Sequence, residues 1–212
     1  MPWPPDVVQR AGFGDLETAI IKRRPRITAR TISVHHRAPA DIANAFAEAV
    51  RPSEGESQME SLLRSVDDRV KTVRLDYTQG SQPFIVVDIG LSRRIPLSDV
   101  GQGIYRLVAI FSELLGQRPD ICFIDEIENG IHYSALPQVW KGVAEVAARF
   151  HIQIFATTHS GECLAAAHES FSSRKSYDLR VIQLYRTDGC IAGRVLNRDL
   201  IQSGLEGNID LR

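Results

Sequence analysis

The 212-residue sequence predicts an α/β fold in which helices flank a mostly parallel sheet and antiparallel strands are added near each end. Three observations predict it. The runs "ICFID" (121–125) and "IQIFATT" (152–158) begin as short apolar stretches, typical of strands buried on both faces. A segment of helix length, 134–150, separates them, as in a crossover between parallel strands. Before and after this unit, β-rich runs interrupted by turn residues indicate hairpins.

The first elements follow from local patterns. "TARTISV" (28–34) is rich in β-branched residues and predicts a strand. Segment 39–50 has a proline at its start and apolar residues spaced by four, which predicts an amphipathic helix. After the polar break "PSEGES", segment 58–66 predicts a second, short helix, and 70–77 with 83–91 predicts a hairpin.

The later elements alternate between helix and strand. Helices are predicted over 103–117, 134–150 and 160–170, with Ser134 as the amino-terminal cap of the second. Segment 179–196 predicts two strands about a "TDG" turn, and a tail without an assigned element follows. The predicted core of the parallel sheet consists of Cys122, Phe123, Ile124, Ile152, Ile154 and Phe155.

The amino-terminal region carries little pattern. Residues 1–30 contain several prolines and glycines, and their basic run "KRRPR" (22–26) is interpreted as solvated surface. We therefore expect two parts: an irregular and helical segment over 1–66, and the main α/β unit over 67–212.

Composition narrows the class of protein. The 25 Lys and Arg residues balance 26 Asp and Glu residues, so no global basic field indicates nucleic acid. The three cysteines have no C-x-x-C spacing, which argues against a disulfide framework or zinc site and favours a reducing, cytoplasmic location. The amino terminus lacks an apolar signal region, and no run of membrane-spanning length occurs, so no membrane association is expected.

Polar residues follow both apolar strands. The first strand is followed by Asp125, Glu126 and Glu128, and the second by Thr157, Thr158, His159 and Ser160. Because the carboxyl ends of neighbouring parallel strands meet at one edge, we expect these groups to lie together at a ligand site. Of two such carboxylates, one can bind Mg²⁺ and the other can orient or deprotonate water. A neutral histidine on the neighbouring strand can reach a phosphoryl group.

Each motif also has a bland interpretation. An acid pair at a strand end is often a solvated turn, and "TTHS" (157–160) is often a helix cap with a satisfied histidine. The ordered combination of strand, acids, crossover helix, strand and histidine favours the functional interpretation.

A glycine-containing loop precedes the predicted helix over 103–117. It contains Ser98, Gly101 and Gly103, with Arg106 one turn into the helix. Glycines allow close approach of backbone amides to a phosphate, and a helix amino terminus favours an anion. These residues are therefore candidate nucleotide-binding groups, although a simple helix-initiating loop has the same composition.

Three segments together resemble a known family. "PLSDVGQGIYRLVAIFSELL", "ICFIDEIENGIHYSALPQVW" and "HIQIFATTHSGECLAA" look like the signature, Walker B and switch-histidine regions of ABC-type AAA ATPases related to the SMC and overcoming-lysogenization-defect (OLD) families. The resemblance covers roughly residues 67–212 and implies a P-loop NTPase-like fold, specifically the carboxy-terminal lobe. It also implies ATP and Mg²⁺ as cofactors and ATP-dependent dimerisation.

The resemblance assigns roles to individual residues. Asp125 matches the Walker B acid that holds Mg²⁺ through water, Glu126 the catalytic glutamate, and His159 the switch histidine. Ser98, Gly101 and Gly103 match the signature loop, which contacts the γ-phosphate bound by the opposite subunit. Asn129 and His132 fall where the family's D-loop crosses the dimer interface.

The sequence departs from the family at the phosphate cradle. That loop has the pattern G-x-x-x-x-G-K-[ST], and nowhere in this sequence does glycine directly precede lysine. No Q-loop counterpart is evident either. The chain is therefore expected to be a lobe without its Walker A part.

Three hypotheses fit this departure. A Walker A lobe from another segment or chain completes a shared ATPase; or the chain is a non-hydrolysing regulatory module that pairs with an intact ATPase. The retention of Asp125, Glu126 and His159 favours the first. The third is a metal-dependent nuclease, which in the OLD family is a separate domain with clustered acids; here "RTDG" (186–189) is better interpreted as a hairpin turn. The resemblance also makes DNA a possible partner, in phage defence, recombination or repair.

Overall fold

The structure, a computed structural model, describes residues 27–33, 38–77, 82–187 and 189–207. Its strands are β1 (Ala29–Ile32), β2 (Thr72–Asp76), β3 (Phe84–Asp88), β4 (Ile95–Pro96), β5 (Ile121–Ile124), β6 (Gln153–Ala156), β7 (Val181–Thr187) and β8 (Cys190–Leu196). Its helices are α1 (Pro39–Val50), α2 (Gly55–Val66), α3 (Leu97–Val100), α4 (Gln102–Gln117), α5 (Leu136–Phe150), α6 (Gly161–Ser172) and α7 (Arg198–Glu206), with a 3-10 turn at Tyr133–Ala135. None of the described helices has the length and apolar character to cross a membrane.

A three-stranded parallel sheet in the order β1-β5-β6 organises the fold, which confirms the α/β prediction. β5 is the central strand, and α5 connects it to β6 as the crossover helix. Ile124 lies between Ile32 of β1 and Ala156 of β6 in the register, so all three strands end at the same edge. The polar segments after β5 and β6 consequently start side by side.

One face of this sheet carries the hydrophobic core. Cys122 and Ile124 of β5 are buried there, together with Phe46 of α1 and Phe111 of α4. Nearly every residue from 104 to 115 of α4 is buried, including the polar Ser112 and Glu113. A helix buried around its circumference is typical of a core position.

The opposite face differs from the prediction. Phe123 and Phe155 were expected in the core, but each is 42% exposed. Successive strand residues point to opposite faces, and the described helices cover only the face of Cys122 and Ile124. The prediction that this strand is covered on both faces is therefore wrong for the described residues.

Antiparallel strands occur on both sides of the parallel unit, as predicted. β2, β3 and β4 form one antiparallel sheet, and β7 and β8 form a two-stranded ribbon. Helix α2 begins at Gly55, three residues before the predicted start at Gln58. The segment 1–26, including the basic run, lies outside the described part, as do 34–37, 78–81, 188 and 208–212; the end of the predicted strand 28–34 and the two predicted turns fall there.

The carboxy-terminal tail forms a helix that the sequence analysis missed. In α7 the Asn197 side chain accepts a hydrogen bond from the Leu200 amide at 2.9 Å, which caps the amino terminus. Ile201 is fully buried on the inner side of this helix. Asn197 followed by the apolar Leu200 and Ile201 is a pattern that predicts a capped helix.

Candidate functional site

The two acids predicted to share a site begin where β5 ends. The Asp125 amide donates a hydrogen bond to the Ile32 carbonyl at 2.9 Å, which extends the pairing of β5 with β1 by one residue. The Thr157 amide donates to the Ile124 carbonyl at 2.9 Å and extends the pairing with β6. Asp125 and Thr157 thus lie next to each other at the sheet edge.

The Thr157 hydroxyl joins both acids. Its Oγ1 lies 2.8 Å from Asp125 Oδ1 and accepts a hydrogen bond from the Glu126 amide at 2.8 Å. The structure therefore brings Asp125, Glu126 and Thr157 into one hydrogen-bonded cluster.

Glu126 has an unusual backbone conformation, with a φ of 43°. A non-glycine residue in the left-handed region costs about 1–2 kcal/mol, so neighbouring contacts must retain it. The Glu126 carbonyl accepts from the Asn129 amide at 3.0 Å, while Thr157 holds its amide. These contacts turn the chain sharply directly after Asp125.

The Arg106 side chain also stabilises the turn after Asp125. Its side chain is buried, and the guanidinium donates to the carbonyls of Ser33 at 2.6 Å, of Asp125, and of Glu126 at 3.3 Å. These contacts give Arg106 a structural role at the ends of β1 and β5. Its expected contact with a phosphate stays a prediction.

Glu128 links the loop after β5 to the loop after β6. Glu128 Oε1 accepts a hydrogen bond from the His159 amide at 3.0 Å, and the His159 side chain lies exposed at the same edge. The acid thus holds the main chain that carries the candidate switch histidine.

A buried thiol lies behind this loop. Burial raises the pKa of the Cys163 thiol to about 11; a hydrogen bond with Thr158 opposes the increase, and the charge of Glu128 adds to it. At neutral pH the group is therefore a neutral thiol, and it is unsuited to act as a nucleophile.

The predicted phosphate loop borders the same region. Gly101 has a φ of 120° and stands between α3 and α4. A Cβ added at Gly103 would lie 2.9 Å from the carbonyl oxygen of Gly130, in the loop after β5. Ser98 is exposed in α3, and its hydroxyl donates to Asp99 at 2.9 Å. Close packing thus joins the glycine loop to the loop that carries the acids.

His132 has a local role. Its Nδ1 lies 2.8 Å from Ser134 Oγ and accepts, at 3.4 Å, from the Ser134 amide, so it caps the 3-10 turn before α5. Ser134 does not cap α5 as predicted, because the inserted turn moves the helix start to Leu136. Asn129 lies in the adjacent loop.

The donor set fits a hard cation that keeps most of its water. Asp125 Oδ1 is occupied by Thr157, while the structure gives no hydrogen bond to Oδ2 within the described ranges. Among the described residues no cluster of three or more His, Cys, Asp or Glu side chains forms a metal site. Mg²⁺ commonly uses one or two carboxylates, with water and substrate phosphates as its other ligands.

A family match decides the relationship to known proteins. Residues 20–164 match the family described as "AAA domain, putative AbiEii toxin, Type IV TA system". The chain belongs to this AAA-domain family. One curated relative of the AAA-domain chain is an "ATP/GTP phosphatase" of Helicobacter pylori (strain ATCC 700392 / 26695), 27% identical over 110 residues. The alignment covers 50% of this chain and 29% of the relative's length.

Solved structures show that the AAA-domain chain has the fold of SMC ATPase heads, a P-loop NTPase-like α/β fold. One, from work on ATP-driven dimerization and DNA-stimulated activation of SMC ATPases, superposes with a TM-score of 0.56 at 14% identity, covering 81% of this chain and 97% of that chain. An Smc head bound to the C-winged helix domain of ScpA gives 0.54 at 12% identity, covering 76% and 51%. An Smc head derived from Pyrococcus yayanosii gives 0.53 at 16% identity, covering 72% and 28%. The chain is thus an AAA-family domain with the fold of SMC ATPase heads.

Proposed function

We propose that this chain is the ATP-binding and ATP-hydrolysing lobe of an ABC-type ATPase, completed by a Walker A lobe from another segment or chain and by dimerisation. The observation that carries the proposal is the cluster in which Thr157 joins Asp125 and Glu126 beside the His159 loop. Two acids in a solvated turn would not require these hydrogen bonds to Thr157.

Each residue has a distinct role in the proposed reaction. Glu126, the Walker B glutamate, orients a water for in-line attack on the γ-phosphate and accepts its proton. Asp125 would hold Mg²⁺, and the bound ion would neutralise charge on the phosphates. His159 donates a hydrogen bond to the charge that develops on the transferred phosphoryl group.

The uncovered sheet face supports the need for another lobe. β6 has a strand partner only on its β5 side within the described sheet. A cavity of about 1080 Å³, bordered by Phe123, Phe155 and Leu184, extends from β6 to the ribbon strand β7. A strand and helix of the missing lobe would cover this surface.

Dimerisation is the second requirement of the proposal. Ser98, Gly101 and Gly103 would contact the γ-phosphate held by the opposite subunit, which closes the site only when ATP is bound. The work on SMC ATPases that provides a structural relative concerns ATP-driven dimerization and DNA-stimulated activation. A homodimer, with DNA as a possible regulator, is therefore the proposed assembly.

Hydrolysis of ATP tests the proposal. We would measure Mg²⁺-dependent phosphate release by the 212-residue chain alone and mixed with the Walker A lobe of a family member. Glu126→Gln should reduce turnover at least about 100-fold while ATP binding persists. Glu145→Gln, at an exposed position of α5, is the matched control.

The outcomes separate the hypotheses. Turnover only in the mixture, lost in Glu126→Gln, supports the shared ATPase. Normal turnover by Glu126→Gln would remove the central assignment. Tight pairing with an ATPase but no turnover in any mixture would instead support the non-hydrolysing regulatory module.

A further inference from the structure

We propose that Thr157 is the positioning residue of this site: its single hydroxyl orients the Asp125 carboxylate and holds the turn that presents Glu126. The inference rests on the roles proposed for these two acids. Thr157 itself need not touch nucleotide or metal, because it acts through Asp125 and Glu126.

Chemistry sets the direction of its two hydrogen bonds. A backbone N–H only donates, so the Thr157 oxygen must accept from the Glu126 amide at 2.8 Å. The hydroxyl proton is then free for Asp125 Oδ1, also 2.8 Å away, because an ionised carboxylate only accepts. One hydroxyl therefore satisfies both contacts without competition.

The Thr157 main chain is held as firmly as its side chain. Its amide donates to the Ile124 carbonyl at 2.9 Å, and its carbonyl accepts from the Ile127 amide at 3.2 Å. The hydroxyl position is thus set by the register of β6 against β5. The hydrogen bonds from the Glu126 and Ile127 amides to Thr157 lie at and directly after Glu126, and the left-handed backbone of Glu126 depends on these contacts.

This geometry distinguishes the two oxygens of Asp125. Oδ1 is occupied by Thr157, so Oδ2 is the oxygen presented to a cation or its water. Serine retains the hydroxyl and should preserve this orientation. Valine keeps the branched shape of threonine but loses both hydrogen bonds. The pair Thr157→Ser and Thr157→Val therefore separates shape from hydrogen bonding.

Mn²⁺ titration of the 212-residue chain, mixed with the Walker A lobe and a non-hydrolysable ATP analogue, tests the proposal without relying on hydrolysis. The readout is paramagnetic broadening of the Asp125 amide signal. Because removal of an outer-shell partner typically weakens metal binding about 10- to 100-fold, Thr157→Val should raise the midpoint by that factor, and Thr157→Ser should stay near the parent. Thr158→Val is the matched control, since it makes the same change at the next residue, whose hydroxyl accepts from the Ser160 amide at 3.0 Å and not from the Glu126 amide.

Two further measurements exclude a merely structural effect. Exchange of the Glu126 amide hydrogen should accelerate in Thr157→Val alone, because that amide loses its acceptor. In the active assembly, the Mg²⁺ concentration for half-maximal rate should rise while KM for ATP stays unchanged.

The experiments distinguish failure of the positioning role of Thr157 from failure of the metal role of Asp125. If Thr157→Val binds Mn²⁺ and protects the Glu126 amide like the parent, the positioning role of Thr157 is overturned while the proposed ATPase stands. A parent mixture, containing the Walker A lobe and nucleotide, whose Asp125 signal is unaffected by Mn²⁺ would overturn the metal role of Asp125 and this inference together.

Discussion

Phe123 and Phe155 stack on adjacent strands with ring centroids 5.3 Å apart and an interplanar angle of 19°. Each ring nevertheless stays 42% exposed on a face of the sheet that the described helices leave uncovered. A parallel sheet is normally covered on both faces, so this pair marks a surface suited to burial.

The exposure of the two rings predicts a small stability cost. Phe155→Ala should lower the unfolding free energy by roughly 2 kcal/mol, because the part-buried ring loses less than a core phenylalanine and the stacked pair contributes about 1 kcal/mol of that. Phe111→Ala is the control, because Phe111 is fully buried and its loss should cost about 3–5 kcal/mol. Urea unfolding measures both. Equal losses would show that Phe155 is buried in solution, for instance by an intermolecular contact.

Gly103 is predicted to resist substitution by alanine. Alanine normally stabilises a helix by about 1 kcal/mol relative to glycine, but the added Cβ would meet the Gly130 carbonyl oxygen at 2.9 Å. We expect Gly103→Ala to lower the melting temperature. Gly161→Ala should not lower it, because among the described residues no atom outside the adjoining backbone lies within 4 Å of the added Cβ. Thermal unfolding checks the pair, and a stabilised Gly103→Ala would contradict the close packing.

Arg106→Met should destabilise the chain by about 3 kcal/mol or more. The substitution leaves the main-chain carbonyls of Ser33 and Asp125 without the charged donor, while the Glu126 carbonyl keeps the Asn129 amide, and each unsatisfied buried group costs about 1–3 kcal/mol. Chemical denaturation measures the effect. Unchanged stability with weakened nucleotide binding would instead indicate that Arg106 acts on a phosphate.

His168 predicts a pH dependence of stability. Burial, assisted by the charge of Arg198, lowers the pKa of His168 below its ordinary value of 6.5, and its Nδ1 lies 2.9 Å from the Tyr177 hydroxyl. The unfolded chain therefore binds a proton more readily than the folded chain. The contribution of His168 is fully present above about pH 6.5 and is lost as pH falls through the folded pKa.

The non-titrating variant His168→Gln should flatten this part of the profile. Unfolding free energies of the parent and variant between pH 5 and 8 provide the comparison. If the difference between the two proteins is constant over this range, His168 does not titrate as described.

Much of the site could be predicted because its determinants are local. The apolar strands around Ile124 and Ile154, joined by one crossover helix, require parallel neighbours with their polar ends at one edge. That rule brings Asp125 beside Thr157, although the hydrogen bonds that join them depend on register.

Other features depend on residues far apart in sequence. The sequence alone specifies the strands, the crossover and the polar residue types at the strand ends, through periodicity and chain connectivity. Only the tertiary structure shows that Phe123 and Phe155 lie on an uncovered face. It alone also shows that Arg106 donates to carbonyls at the ends of β1 and β5, and that the Glu126 backbone is in the left-handed region. Those outcomes depend on which surfaces and main-chain groups meet after packing, and one-dimensional patterns carry no such distances.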